Sequence, residues 1–278
     1  MSRAALRVCL HVSLHAAVLA PLAATACAFA QESPNIASAT APSPGVLIPR
    51  AQARVTLFDG GQTLLAEDLR AEYGIARNLS AFAELPLYQG FLDAPRPSDG
   101  EFGLGALELG VEYRVLQQDL DAIDTVRGAL LAGAALPTAT DGFGRQSFDP
   151  FVGAAINAIF GRHGLNAAAR YSFVTGDTDL PLFIGDDGED VIGADLGYVF
   201  RLAPAEYTEV REAAWYLTLE LNTQWTAGGD REVLLSPGLL IEAPDYAIEA
   251  GVQLPLSQRG NDRPEVDLGF FAGIRLIY

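Results

Sequence analysis

No lysine occurs anywhere in this chain; apart from histidine, every basic side chain is arginine. Cysteine is almost absent, and both examples, Cys9 and Cys27, fall in the first thirty residues. That opening, MSRAALRVCLHVSLHAAVLAPLAATACAFA, sets Arg3 and Arg7 ahead of an apolar stretch and closes on Ala28-Phe29-Ala30. A basic start, an apolar core and a small-x-small end describe a cleavable signal peptide over 1–30, leaving Gln31 as the new N-terminus. Its removal takes away both cysteines, His11 and His15, so His163 is the only histidine left. A disulfide framework, thiol catalysis and a zinc site built from cysteine and histidine are then excluded. Losing Arg3 and Arg7 moves the net charge from -17 to about -19,. Nucleic acid is a poor partner for such a surface.

Long hydrophobic runs are missing as well. Nothing after residue 30 approaches the roughly 18 consecutive apolar residues of a membrane helix. Yet half the chain is hydrophobic and mean hydropathy is +0.19. An acidic chain that is this apolar, with no membrane helix, suits an outer-membrane protein that crosses with strands.

Alternation supplies the strands. The chain ends on VDLGFFAGIRLIY, where Val266, Leu268, Phe270, Ala272, Ile274, Leu276 and Tyr278 share one parity. The other parity carries Asp267, Gly269, Gly273 and Arg275. A period of two places these sets on opposite faces of a strand. The same pattern recurs at 107–115, 192–202, 215–225 and 246–254. It is fainter at 63–75, 79–89, 125–137, 150–160, 165–174 and 232–242, with a weaker first strand near 46–57. About twelve strands result, or ten if the weakest are discounted, each about 10–12 residues long, as a tilted membrane-crossing strand requires. The fold class expected is all-β: one antiparallel transmembrane β-barrel over 46–278, a soluble sandwich being the rival. Residues 31–45, QESPNIASATAPSPG, have no period and read as a flexible periplasmic leader, too short for a plug domain,. Turns at 76–78, 161–164 and 243–245 are short, and connections at 90–101, 138–149 and 176–190 are long. Bacterial barrels show this asymmetry, with the long loops outside. Segments 116–124 and 203–212 break the rule as long connections on the short-turn side.

The order of segments adds to this. EYGIARNLSAFAELPLY, GLGALELGVEYRVL, GALLAGAALPTATDGFG, LNAAARYSFVTGD, VIGADLGYVF and LLSPGLLIEAPDYAIEAGVQLPLS follow in sequence. Together, over about 63–278, they resemble the outer-membrane transporter-like family labelled "meta-pathway of phenol degradation". The resemblance implies a barrel and the uptake of aromatic or other hydrophobic compounds. The terminal aromatic, Tyr278, looks like the signal read by the barrel-assembly machinery. Outer-membrane lipid and lipopolysaccharide are the other expected partners.

No catalytic, cofactor or metal constellation emerges. His163 sits in a short turn, badly placed for an outer-leaflet hydrolase. GLGALE lacks the third glycine and the helix of a dinucleotide site. The acidic stretch GDDGED (185–190) has carboxylates but not EF-hand spacing,. The informative charges lie on the inward parity. Arg70, Glu84, Glu108, Glu112, Arg114, Arg127, Arg170, Asp195, Glu220, Glu249, Asp267 and Arg275 are candidates to line the lumen, with Arg54, Glu72 and Arg201. An arginine facing lipid would cost about 2–4 kcal/mol at the midplane, so a shared parity argues for an inward one. These charges either line a polar path or pair across the lumen and close it. The function expected is a passive channel or transporter for small hydrophobic or aromatic molecules. The alternatives are a structural or adhesive barrel with an occluded lumen and, third, an outer-membrane enzyme.

Overall fold

The computed structural model describes residues 31–90, 102–121, 123–176, 188–207, 213–260 and 264–278. The signal-peptide reading, with Cys9 and Cys27, lies outside them. The strands are β1 (Leu47–Phe58), β2 (Thr63–Ala76), β3 (Leu79–Gly90), β4 (Phe102–Leu104), β5 (Glu108–Asp119), β6 (Thr125–Ala135) and β7 (Asp149–Phe160). They continue with β8 (His163–Ser172), β9 (Val191–Ala203), β10 (Ala214–Thr226), β11 (Arg231–Glu242), β12 (Tyr246–Arg259) and β13 (Val266–Leu276). Each strand pairs antiparallel with the next, except that β3 pairs with both β4 and β5, and β1 closes on β13 from Arg50↔Arg275 to Phe58↔Val266. The result is a closed barrel of twelve wall strands, with β4 a short piece paired to β3 ahead of β5. Closure leaves no sheet edge unsatisfied, which is the condition for a sheet surrounded by lipid.

The two faces divide as the alternation requires. Leu109, Val111, Tyr113 and Val115 of β5 are exposed outward, as are Trp215, Leu217 and Leu219 of β10. Between them, Glu112, Tyr216, Thr218 and Glu220 are buried inward. Exposed Tyr73, Tyr113, Tyr198, Trp215 and Tyr246 stand toward the end of the barrel that holds Tyr278. Exposed Phe102, Phe148, Phe173 and Trp225 stand toward the other. Two such belts suit amphipathic rings at two water–lipid boundaries. We call the Tyr278 end the near end and the opposite one the far end.

Turn chemistry follows position. Gly161, at φ +60°, turns β7 into β8 within two residues, a left-handed conformation that glycine adopts without strain,. One near-end irregularity expected from the sequence shrinks: β5 runs on to Asp119, so the connection to β6 is only residues 120–124. The other persists, but its described part folds inward. Tyr207 packs against a buried cluster of Val199, Ala214, Tyr216, Leu240 and Ala247, and its hydroxyl lies 2.9 Å from that of Tyr216.

The largest departure concerns residues 31–45. They do not trail into the periplasm as a leader. They cross the inside of the barrel, and Gln31, Glu32, Ser33, Ile36, Ala39 and Ala41 are buried there. Room exists because several inward wall positions are small. Ala37 and Ala39 pack on Ala129, Ala155 and Ala168 of β6, β7 and β8. The alanines that made these strands faint as sequence patterns form the bed for this strap.

Candidate functional site

The strap touches opposite walls. The Asn166 side-chain amide of β8 donates to the Gln31 carbonyl (3.3 Å) and to Ser33 Oγ (3.1 Å). Arg275 of β13 pairs with Glu32, and Arg50 of β1 donates to the Pro34 carbonyl. Asn35 donates its side-chain amide to Glu220 of β10 at 2.8 Å and its backbone N–H at 3.2 Å. The Ala39 N–H reaches Asn157 of β7, and Arg127 of β6 donates to Thr40 Oγ1 at 3.3 Å. The strap then leaves along β2. Gly45 N–H donates to the Gly74 carbonyl (2.8 Å) and Gly74 N–H to the Val46 carbonyl (3.0 Å). A Cβ on Gly74 would lie 2.1 Å from the Ser43 carbonyl oxygen, so only glycine admits the strap here,.

Beside the strap lies a cavity of about 620 Å³. Its charged lining includes Arg54, Asp68, Arg70, Glu84, Glu108, Arg170 and Asp195, and Pro34, Ile36 and Ala37 of the strap border it. Most of these charges are paired. Arg70 meets Glu84 at 3.2 Å and Glu72 at 3.6 Å. Arg170 binds Glu108 through two nitrogens, at 2.9 and 2.6 Å. Arg54 stands 3.8 Å from Asp68. Among the described residues Asp195 accepts from neutral donors alone, the Asn222 amide at 3.4 Å and the Thr223 N–H at 3.3 Å. Such pairing fixes side chains against the wall while leaving water-sized space at the centre.

The candidates named from the sequence thus fall into groups. Arg70, Glu84, Glu108, Arg114, Arg170 and Asp195 line the cavity, Arg127 and Arg275 both line it and grip the strap, and Glu220 grips the strap. Glu249 is a hub below it, accepting from Arg50 at 2.5 Å and from Gln52 at 3.0 Å. Glu112 is buried, and its Oε1 has no hydrogen-bond donor among the described residues. Arg114 stands at the near rim, bonding the Arg77 carbonyl, and Arg201 is buried against the Tyr207 ring at 4.2 Å. Asp267 does not join the lumen set. The β1–β13 register skips it at a bulge between Leu57 and Phe58, and it is exposed near the far end. A bulge shifts side-chain parity, which alternation alone cannot reveal. The strap's own polar residues and the inward Asn157 and Asn166 were missed. Paired polar positions on otherwise alanine-rich strands were the available signal.

The wall has two weak places, both at proline. Opposite Pro86 the β3 ladder is irregular: β5 pairs Leu79–Glu84 and β4 resumes at Leu87, with the Gly105 N–H donating to the Pro86 carbonyl (2.8 Å) between them. Residues 105–107 span the irregularity, and the Leu107 N–H donates to Thr138 Oγ1 (2.8 Å). On β11, Ser236 and Pro237 have no partner on β12, and a second bulge stands opposite Pro255. Proline removes a ladder donor, so such positions interrupt pairing. Pro137 lies just past β6.

Near the first irregularity, Glu67 breaks the inside–outside rule. It lies between outward Leu65 and Leu69, pairs across to Leu87, and has no hydrogen bond or ion pair among the described residues. No other charged side chain away from the strand ends faces outward among the described residues. Replacing Glu67 with Leu is expected to raise stability in bilayers by about 1 kcal/mol, read from the urea midpoint, because a lipid-facing carboxylate is costly.

Of the acidic loop at 185–190, only Gly188 to Asp190 are described. Asp190 accepts from the Tyr171 hydroxyl (2.5 Å) and the Val174 N–H (2.9 Å), which hold its carboxyl below the usual range. It therefore serves as a loop anchor. His163 lies at the near rim with its Nδ1 2.7 Å from the Tyr198 hydroxyl, both exposed on the outer surface.

No protein-family model matches the sequence, and no curated protein sequence matches it. Among solved structures, the chain is similar to the COG4313 outer membrane channel from Pseudomonas putida F1, with TM-score 0.57 and 14% identity over 86% of this chain and 97% of that one. It is more loosely similar to the NanC porin, with TM-score 0.48 and 12% identity over 83% and 98% of the two chains. At such identities the likeness is one of fold, that of outer-membrane barrels.

Proposed function

We propose that this chain spans the outer membrane as a passive channel or transporter for small hydrophobic or aromatic molecules. The observation that carries the reading is the cavity of about 620 Å³ inside the closed wall, bordered by the strap. Such a cavity holds a small solute, and its lining extends to Arg77, Arg114 and Gln117 at the near rim. A solute enters from the far end or leaves through the wall at the Pro86 irregularity. It passes to the near end when the strap moves. No energy-coupling domain is needed for that. The fold of the Pseudomonas putida channel supports the same direction, as does the resemblance to the phenol meta-pathway family. On this reading the near end is periplasmic, export uses the signal peptide 1–30, and β13 with Tyr278 engages the assembly machinery.

The strap also favours a second reading, a structural or adhesive barrel whose lumen stays shut. An enzyme is disfavoured: His163 and its Tyr198 partner face outward at the near rim, away from the cavity.

Single-channel recording separates the first two. The refolded protein from Gln31 to Tyr278, shown to be inserted, is expected to give small discrete steps with cation preference. That preference follows from Asp195, a cavity carboxylate that accepts from neutral donors among the described residues, and from the chain's excess of acidic over basic side chains,. Silence in the recording, together with no uptake of aromatic solutes into liposomes, would leave the structural barrel.

A further inference from the structure

One wall of the cavity is built differently from the rest. Phe82, Gly110, Gly133 and Phe151 are successive cross-strand partners on β3, β5, β6 and β7. The two glycines leave the middle of this row bare, and the two rings lean over it from either side. A Cβ on Gly110 would lie 2.3 Å from Cζ of Phe82, and one on Gly133 would lie 2.5 Å from Cζ of Phe151. The ring centroids are 6.3 Å apart and the planes differ by only 30°. Each ring carries a guanidinium on its lumen side. Arg70 Cζ stands 4.1 Å above Phe82, and Arg170 Cζ stands 3.8 Å above Phe151. Glu84 and Glu108 hold those guanidiniums by their edges. The wall therefore presents two planar cations side by side, each backed by an aromatic face. The Arg170 side chain remains 42% exposed, so its stack is open on the cavity side.

From this arrangement we infer that the plate is a binding site for a neutral, electron-rich planar ring. A guanidinium attracts π density to its face, and a second ring on the open side completes the sandwich that Phe151 begins. The carboxylates already occupy the N–H edges, so the plate does not call for an anion. An aliphatic ligand of equal size gains the burial but not the stacking. Arg54 lines the same cavity and offers its guanidinium as a donor to a polar atom carried by the ring,. The inference deepens the transport reading, because it rests on the cavity being the place where a solute waits.

The test is equilibrium binding to the folded, detergent-solubilised protein, with indole as probe and cyclohexanol and nitrobenzene as controls. Arg170→Met and the double variant Glu108→Gln/Arg170→Met remove the open plate without leaving the acid alone in the second case. Folding is checked by heat-modifiable gel mobility. Indole is expected to bind saturably, with each control at least about tenfold weaker, and to weaken by about tenfold in both variants. Equal binding of indole and cyclohexanol, or unchanged indole affinity in the folded double variant, would overturn the site. Liposome uptake of indole is measured alongside. Specific binding without uptake keeps the site and rejects the transport reading. Uptake indifferent to both variants does the reverse.

Discussion

Removing Glu32 to Pro44 is expected to leave a folded barrel with a several-fold larger single-channel conductance. The strap bonds to β13, β10, β8, β7 and β6 before it reaches β2, so it lies across the lumen rather than along one wall. Small barrels of about eight strands are filled by their own side chains, whereas those of 16–18 hold open channels. A twelve-stranded wall lined partly by Ala129, Ala155 and Ala168 has space that side chains do not fill, and the strap occupies it. The wall itself should survive, because its ladder is closed without the strap and water can solvate the polar groups left behind. A reversible version uses the near absence of cysteine. A Cβ at position 197 would lie 3.2 Å from that of Ser33, close to disulfide spacing,. Ser33→Cys with Gly197→Cys should lock the channel shut when oxidised and restore wild-type current when reduced. A deleted strap that leaves conductance and small-solute permeability unchanged would show that the obstruction lies elsewhere.

Glu249→Ala is expected to be the most damaging single substitution in the lumen, at about 3 kcal/mol, since removing one member of a buried ion pair strands the other. Glu249 is 1% exposed. It takes Arg50 through Nε at 3.1 Å and through a second nitrogen at 2.5 Å, and Gln52 at 3.0 Å. Arg50 in turn holds the Pro34 carbonyl. The substitution thus removes the acceptor that positions a strap contact. Urea unfolding in lipid vesicles should show a lower midpoint, and current records should show frequent brief openings. Glu249→Gln, which keeps an acceptor oxygen, should lose less on both counts. A stable, quiet Glu249→Ala protein would mean that Arg50 finds another acceptor and that the strap does not depend on this hub.

How much of this was legible in the chain differs by feature. The wall was, including the weak first strand: residues 46–57 gave little pattern, yet β1 spans Leu47–Phe58 and closes the barrel. Lipid outside and polar space inside impose the same constraint on every strand, so a local period of two carries the global answer. Asp267 shows where that logic stops, since one bulge between paired strands moves a side chain off its expected face. The weak places in the wall were half legible. A proline within a strand removes a donor wherever it falls, as Pro86, Pro237 and Pro255 do, but which partner strand parts from it is set by pairing,.

The strap was not legible at all. QESPNIASATAPSPG has no apolar period, and nothing local distinguishes a segment in the lumen from one in the periplasm. Its placement depends on partners such as Arg275, 243 residues from Glu32, and on Glu220, 185 residues from Asn35. The sequence by itself determined the class of fold, the inside and outside of each strand and the sign of the surface charge, because each depends on local alternation or composition. Only the tertiary structure decided that the lumen is crossed, that Phe82 and Phe151 share one glycine floor, and that the cavity lies beside the strap. Those features exist only where strands distant in sequence meet around a common interior.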